Sequence, residues 1–290
     1  MVYTTTDSTK YSAVLDADSV LAKAPGENFR VASRLLPSAV RADLLAIYGF
    51  ARLTDDIGDT SSGDRTETLT WLEREVTLAT EGRATHPILQ RVGETIAAHA
   101  LPIEPFRDLI EANRQDQRVH RYETFSDLEA YCRLSANPVG RLVLGVLGAA
   151  TPRRVALSDD VCTGLQVVEH LQDISEDLGR DRVYLPLDDL RREGGTEDSL
   201  AADRADASLR RTVATLASRA RRLLFSGAPL AASLPWRPRI AVAGFAAGGM
   251  AALDAIESAD YDVLGTRCRP RPARTAARLA LLVLVGGARR

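Results

Sequence analysis

The chain has 290 residues, of which 45 % are hydrophobic and 26 % charged, and it carries a net charge of −2. That is enough material for a large buried core, and the near-neutral balance excludes a nucleic-acid binder held by bulk positive charge. Aromatic residues make up only 5 %, and an Ala/Leu/Val-rich apolar content favours helices over sheets.

The first 24 residues are small and polar and predict a flexible N-terminus. Pro25-Gly26 marks a turn, and a short helix over 27–36 ends at Pro37. Ser38 then caps a helix that runs through Tyr48-Gly49-Phe50-Ala51-Arg52-Leu53-Thr54-Asp55-Asp56-Ile57-Gly58-Asp59. Helical spacing recurs over 66–81, 87–100 and 106–117. Ser126 and Glu129 predict a capping box for a helix from 128 to 149, kinked at Pro138. Further helices are expected over 158–178, 200–225 and 239–259, with an irregular Arg182-Val183-Tyr184-Leu185-Pro186 between the first two. Gly244, Gly248 and Gly249 lie in the most apolar of these helices and predict close helix packing rather than a dinucleotide loop. No alternating strand pattern occurs, so the expectation is one all-α domain over 25–265, with a basic segment over 266–290.

Two acidic stretches carry the chemistry. Tyr48, Arg52, Asp55 and Asp59 are separated by four, three and four residues, and so form one polar stripe on an otherwise apolar helix. Gln166, Glu169, Asp173 and Asp177 repeat the pattern at three, four and four. Like charges one turn apart repel by a few tenths of a kcal/mol, roughly what a favourable pair gains. A solvated acidic face is one reading of either stretch alone. Two such stripes facing each other across a bundle would instead hold a divalent cation. Carboxylate oxygens suit Mg²⁺, with Mn²⁺ an alternative, and Mg²⁺ bridges carboxylates to phosphates. The substrate that fits is a diphosphate, ionised above an apolar pocket. The four histidines, His86, His99, His120 and His170, form no metal motif and read as surface or packed residues. The cysteines Cys132, Cys162 and Cys268 are widely spaced, which predicts free thiols and a reducing cytoplasm.

These motifs, together with Arg121-Tyr122-x-Thr-Phe, Tyr131-Cys132-x-x-Ser-Ala-Asn137-Pro-Val139-Gly140 and Arg182-Val-Tyr184-Leu-Pro186, resemble the squalene/phytoene synthase family in order and separation. The resemblance implies an all-α isoprenoid-synthase bundle with a central cavity, and Mg²⁺-dependent chemistry on prenyl diphosphates. By motif match Asp55, Asp59, Asp173 and Asp177 would be metal ligands. Glu169, where the family carries Asn, would be a fifth. Arg52, Arg182, Tyr184 and Gln166 would bind substrate, Tyr48 would line the diphosphate pocket, and Tyr131 would fall on the active-site tyrosine. Gln172 stands where the family has Arg. Tyr131 and Tyr184 could equally be core residues, and Arg52 a helix ion-pair partner.

The Ser-Ala-Asn-Pro-Val-Gly-Arg block and Glu27-Asn28-Phe29-x-Val31-Ala32-Ser33 resemble most closely the bacterial hopanoid-pathway branch that forms hydroxysqualene. That resemblance implies conversion of presqualene diphosphate to hydroxysqualene, with Ser33 at the substrate. Water capture needs one oriented water in a pocket that otherwise excludes solvent, and Asn137 is the candidate to polarise or position it. NADPH is not expected, and functional partners would be a presqualene diphosphate synthase and a hydroxysqualene reductase. Two alternatives stand beside it. One is a head-to-head synthase joining two farnesyl or geranylgeranyl diphosphates, the other a non-catalytic prenyl-lipid binding protein. No signal peptide is evident, and the apolar run 279–285 is too short to span a bilayer. Seven arginines and no acid from 267 onward read either as a peripheral membrane contact or as a final helix packed on the body. The expected location is cytoplasmic, with membrane association through that tail. No nucleic-acid partner is expected.

Overall fold

The computed structural model describes residues 35–60, 64–266 and 268–287. Ser33 and the rest of the block 27–33 lie outside the described residues. So does the expected N-terminal tail. Among the described residues there is no strand, only one isolated parallel bridge between Arg121 and Val183. The helices are α1 (Ser38–Thr60), α2 (Arg65–Thr80), α3 (Pro87–His99), α4 (Glu104–Gln115), α5 (Phe125–Ser135), α6 (Asn137–Val146), α7 (Pro152–Gln172), α8 (Ile174–Gly179), α9 (Leu187–Arg192), α10 (Ala207–Gly227), α11 (Pro229–Ala232), α12 (Trp236–Ser258) and α13 (Pro272–Gly287).

The chain divides into two compact units, Met1–Arg118 with Pro138–Ala150, and Val119–Asn137 with Thr151–Arg290. In the first unit α1 buries Ile47, Phe50, Leu53 and Ile57 on one face. Phe50 meets Phe106 of α4 edge to face at 5.1 Å. The turn from α2 to α3 is held by Glu75, a buried carboxylate that accepts from the Thr85 and His86 backbone N–H groups at 2.8 and 3.1 Å. These charge-assisted bonds offset much of the cost of burying it.

In the second unit α7, α10, α12 and α13 pack side by side. Of the apolar-helix glycines, Gly249 makes the predicted close approach. A β-carbon there would fall 2.6 Å from Leu165 of α7 and 3.1 Å from Leu224 of α10, whereas Gly244 and Gly248 face open space. α12 is long and apolar enough to cross a membrane, by length and composition only, and most of its apolar stretch is buried inside the protein. Asp262, just past α12, is almost fully buried and ties that end of the helix to the start of α10. It accepts from Ala205 N at 2.9 Å and Gly265 N at 3.0 Å, and pairs with Arg204 and Arg210.

Several boundaries differ from expectation, each for a local reason. The capping box uses Thr124 and Asp127, not Ser126 and Glu129, so α5 starts earlier. The Thr124 hydroxyl accepts from Asp127 N at 3.2 Å, and the Asp127 carboxylate accepts from Thr124 N at 2.9 Å. The helix does not run on through Pro138 but breaks at Ala136, and Asn137-Pro138 opens α6, as proline's ring favours a first turn. Thr151 with Pro152 starts α7 six residues before Ser158. Residues 200–206 do not join α10: a 3₁₀ turn spans Glu197–Ala201, and Asp206 caps the helix by accepting from Leu209 N at 2.8 Å.

The Asp262 network has a pH signature. Its backbone hydrogen bonds come first among the causes that drop the carboxyl from 3.8 to about 2. The folded state therefore binds this proton more weakly than the unfolded state. Its stabilisation is full above about pH 4 and is lost as pH falls toward the folded value. Asp262→Asn should cost about 2 kcal/mol near neutrality, and the gap between variant and parent in urea melts should narrow on acidification from pH 4.

Candidate active site

In the first unit the acidic stretch forms the last turns of α1. Tyr48 is buried, Arg52 and Asp59 are half-buried and Asp55 is exposed. Asp55 and Asp59 share one face, as expected for residues one turn apart. Arg52 pairs with Asp56 at 3.1 Å, a helix ion pair, while its Nε is buried with no hydrogen-bond partner. A buried orphan N–H on an arginine fits an anion.

The end of this helix is held from α4. Asn113 donates from Nδ2 to Asp55 Oδ1 at 3.4 Å and to Leu109 O at 3.2 Å. Gln117 donates to Gly58 O at 3.1 Å, and Arg65 to Asp59 O at 3.2 Å. Two of the last four carbonyls of α1, those of Gly58 and Asp59, which have no partner within the helix, are thus satisfied by side chains. Gly58 makes room for this, because a β-carbon there would lie 2.0 Å from Asn113 Oδ1. Gln117 lies just past α4, and nothing in the sequence singles out its role or that of Asn113.

In the second unit α7 stops one residue short of Asp173. That residue has φ −108° and ψ 14° and separates α7 from α8. The expected unbroken helix over 158–178 is therefore two helices. Asp177 N still bonds Asp173 O at 2.8 Å, so Asp173 and Asp177 stay one turn apart across the break. The Asp173 side chain caps neither helix. Burial pushes its carboxyl up, with repulsion from Asp177 and Glu176 adding to the shift. Glu169 is exposed and Gln166 half-buried. Gln172, at the family's arginine position, donates to Cys268 O at 2.6 Å and so fastens α7 to the segment beyond α12.

Arg182 and Tyr184 lie on an extended segment pinned against residues 120–123. Val183 N donates to His120 O at 2.8 Å and Leu187 N to Tyr122 O at 3.0 Å. Arg121 forks onto Asp181 and Glu197, each at 2.8 Å. This pairing stacks Tyr122 on Tyr184 at 5.5 Å. Tyr131 of α5 leans on Tyr184 at 5.2 Å, and His170 of α7 lies flat on Tyr184 at 3.9 Å. His170 also approaches Asp177 at 3.6 Å and Gln166 at 3.3 Å. His170, Asp177, Arg182 and Tyr184 line a small cavity closed by Ile174 and Leu200. His170 is packed, as expected of the histidines, but packed against the cavity wall. Asn137 is buried, and its Oδ1 accepts from Thr163 Oγ1 of α7 at 3.0 Å. Nothing in the sequence singles out Thr163. Cys132, in α5 beside Tyr131, is a buried free thiol that desolvation pushes up to about 12.

Among the described residues no three Asp, Glu, His or Cys side chains gather into a metal cage. Pairs of carboxylates fit Mg²⁺ nonetheless. That ion keeps several waters and is held by one or two carboxylates plus substrate phosphates.

The squalene/phytoene synthase family profile matches residues 22–275. The crystal structure of squalene synthase HpnC from Alicyclobacillus acidocaldarius superposes with a TM-score of 0.79 at 43 % identity, covering 85 % of this chain and 94 % of that one. The fold is therefore the isoprenoid-synthase helical fold. A hydroxysqualene synthase of Rhodopseudomonas palustris is 38 % identical over 210 residues, 72 % of this chain and 71 % of the relative. A phytoene synthase of Arthrospira platensis is 32 % identical over 260 residues, 83 % of each. The chain belongs to the squalene/phytoene synthase family and is an enzyme of that type.

The Gly58 contact is testable by itself. Gly58→Ala should displace Asn113 and cost about 1–3 kcal/mol. In Gly58→Ala/Asn113→Ala the combined penalty should fall short of the sum of the two by at least about 0.5 kcal/mol in denaturant melts. Additive penalties would contradict the contact.

Proposed function

We propose that this enzyme converts presqualene diphosphate to hydroxysqualene and diphosphate. The observation that carries the reading is Asn137, the residue of the Ser-Ala-Asn-Pro block at which this branch departs from the wider family. Its amide is buried and oriented by Thr163. With Oδ1 engaged, the Nδ2 hydrogens are the groups left to hold a water. Identity of 38 % to a hydroxysqualene synthase supports the same reading.

The C–O bond of presqualene diphosphate ionises, the cyclopropylcarbinyl cation rearranges, and water adds to carbon and loses a proton. In the first unit Asp55 and Asp59 would be carboxylate ligands for Mg²⁺; in the second unit Asp173 and Asp177 would be, with Glu169 as a further oxygen ligand. Bound Mg²⁺ neutralises charge on the leaving diphosphate. In the first unit the orphan Nε of Arg52 would donate to an anionic oxygen, and in the second unit the Arg182 guanidinium would do the same. Tyr48 borders that pocket, and Gln166 contacts substrate through the amide it turns toward His170. Tyr131 and Tyr184 would border the cation as members of the packed aromatic stack. Ser33 belongs to the substrate-binding set on sequence grounds alone.

The direct test is product analysis from presqualene diphosphate with Mg²⁺. Hydroxysqualene should be the main product, and Asp59→Asn or Asp173→Asn should lower turnover by about a thousandfold. Consumption of farnesyl diphosphate with no turnover of presqualene diphosphate would instead favour the head-to-head reaction. The extensive match to a phytoene synthase keeps that second reading in play.

Thr163 gives a finer test. Thr163→Val should leave substrate consumption within about fivefold, since one neutral hydrogen bond contributes about 1 kcal/mol. It should shift products from the alcohol toward hydrocarbons formed by proton loss, and Thr163→Ser should restore the alcohol. An unchanged product ratio in Thr163→Val would remove Asn137 from water positioning.

A further inference from the structure

Two of the tail arginines are engaged with the body of the second unit. Arg278 of α13 forks onto Asp254 of α12 at 2.8 and 3.0 Å, and Arg274 donates to Ser258 Oγ at 2.9 Å. These contacts fasten the start of α13 to the end of α12, roughly 33 Å along that helix from Trp236 at 1.5 Å per residue, and α13 also packs on α11.

The near end is different. Between Asp206 and Asp254 the chain has seven arginines and no carboxylate. Four of the seven are paired: Arg210 with Asp260 and Asp262, Arg211 with Glu193, Arg219 with Asp189, and Arg221 with Asp254 and Glu257. The other three, Arg222, Arg237 and Arg239, make no ion pair among the described residues. Arg239 is half-buried and donates to Ala232 O and Leu234 O, each at 3.3 Å, so Arg222 and Arg237 are the exposed pair. All three lie around one corner, formed by the end of α10, by α11 and by the start of α12. Arg153 at the start of α7 joins them, also without an ion pair. Its neighbour Arg154 ties that helix to the corner by donating to Ser233 Oγ at 3.1 Å. The same corner carries the two most exposed aromatic side chains among the described residues, Trp236 at 60 % and Phe225 at 53 %. Arg237 lies over the Trp236 ring at 5.0 Å.

We propose that this corner docks the enzyme on an anionic membrane surface. Trp and Phe favour the headgroup level of a bilayer, and each nearby arginine adds about 1 kcal/mol on an anionic leaflet. Charge argues against a second copy of the chain as the occupant. An isologous contact would set the exposed Arg153, Arg222 and Arg237 against their own copies. The acids nearby in sequence, Asp159 and Asp160, are half-buried, and Asp160 already accepts from Ser226 Oγ at 2.6 Å. A docking corner of this kind would suit an enzyme whose product is a long apolar chain. The proposal itself stands on the corner's own residues, whichever prenyl product is made.

The chain supplies its own probe. Of its two tryptophans Trp71 is 6 % exposed, so a change in emission on binding reports on Trp236. The full-length enzyme should float with vesicles of equimolar phosphatidylcholine and phosphatidylglycerol and shift its emission to the blue. Vesicles of phosphatidylcholine alone should do neither. Arg222→Gln/Arg237→Gln should weaken flotation by about 30-fold, with turnover in detergent unchanged. Trp236→Ala should weaken it without changing the melting curve. Absence of a blue shift, or undiminished flotation of the double arginine variant, would overturn the proposal. So would a lipid-free dimer, seen by light scattering, that Trp236→Ala converts to monomer, since the corner would then be a protein interface.

Discussion

The chemistry-bearing wall of the second unit depends on one guanidinium. Arg121 spans the turn at Asp181, bonding that residue's carboxylate and backbone oxygen while its Nε reaches Glu197. Asp181 sits at φ 59°, a left-handed conformation that a non-glycine residue holds only when its surroundings fix it. Once the turn is fixed, residues 183–188 must run beside 120–123, and Tyr122 and Tyr184 must stack. Tyr131 and His170 then find a preformed surface. Four aromatic rings from four stretches of chain are placed by a fork that touches none of their reactive atoms.

A second constraint is the break at Asp173. A continuous helix would give its carboxylate an ordinary helical environment. The break leaves that carboxylate half-buried, unused as a cap and close to Asp177, with a proton held more tightly than usual. Such a group gains from a nearby cation. The corresponding region of the first unit is built differently, by a continuous α1, two of whose last carbonyls are satisfied by Gln117 and Arg65.

The helical class and the two acidic stripes are readable in the sequence because both rest on period. Apolar residues at three- and four-residue steps specify helices, and carboxylates at the same steps specify a face. Boundaries are readable only where one candidate cap stands alone. Thr124 competes with Ser126, and the choice is settled by which side chain finds a carboxylate three residues on in the folded turn. Residues 200–206 carry helix formers, yet the burial of Asp262 against Ala205 N holds that backbone out of the helix. Asn113, Thr163 and His170 are silent in the sequence for one reason: their roles are contacts between elements, and no spacing along the chain encodes those. Gly58 is visible inside the first motif, but its purpose shows only when the Asn113 side chain fills the space where its β-carbon would be. The basic tail illustrates the converse. Its composition suggests a free surface, and the structure engages Arg274 and Arg278 with α12.

The central claim is that the cation released from the diphosphate is captured by water at carbon. Running the reaction in oxygen-18 water and examining both products by mass spectrometry tests it most directly. Capture at carbon places the label in the hydroxyl of hydroxysqualene and leaves the diphosphate unlabelled. Label in the phosphate with an unlabelled alcohol would mean that water attacks phosphorus, and would contradict ionisation at carbon altogether.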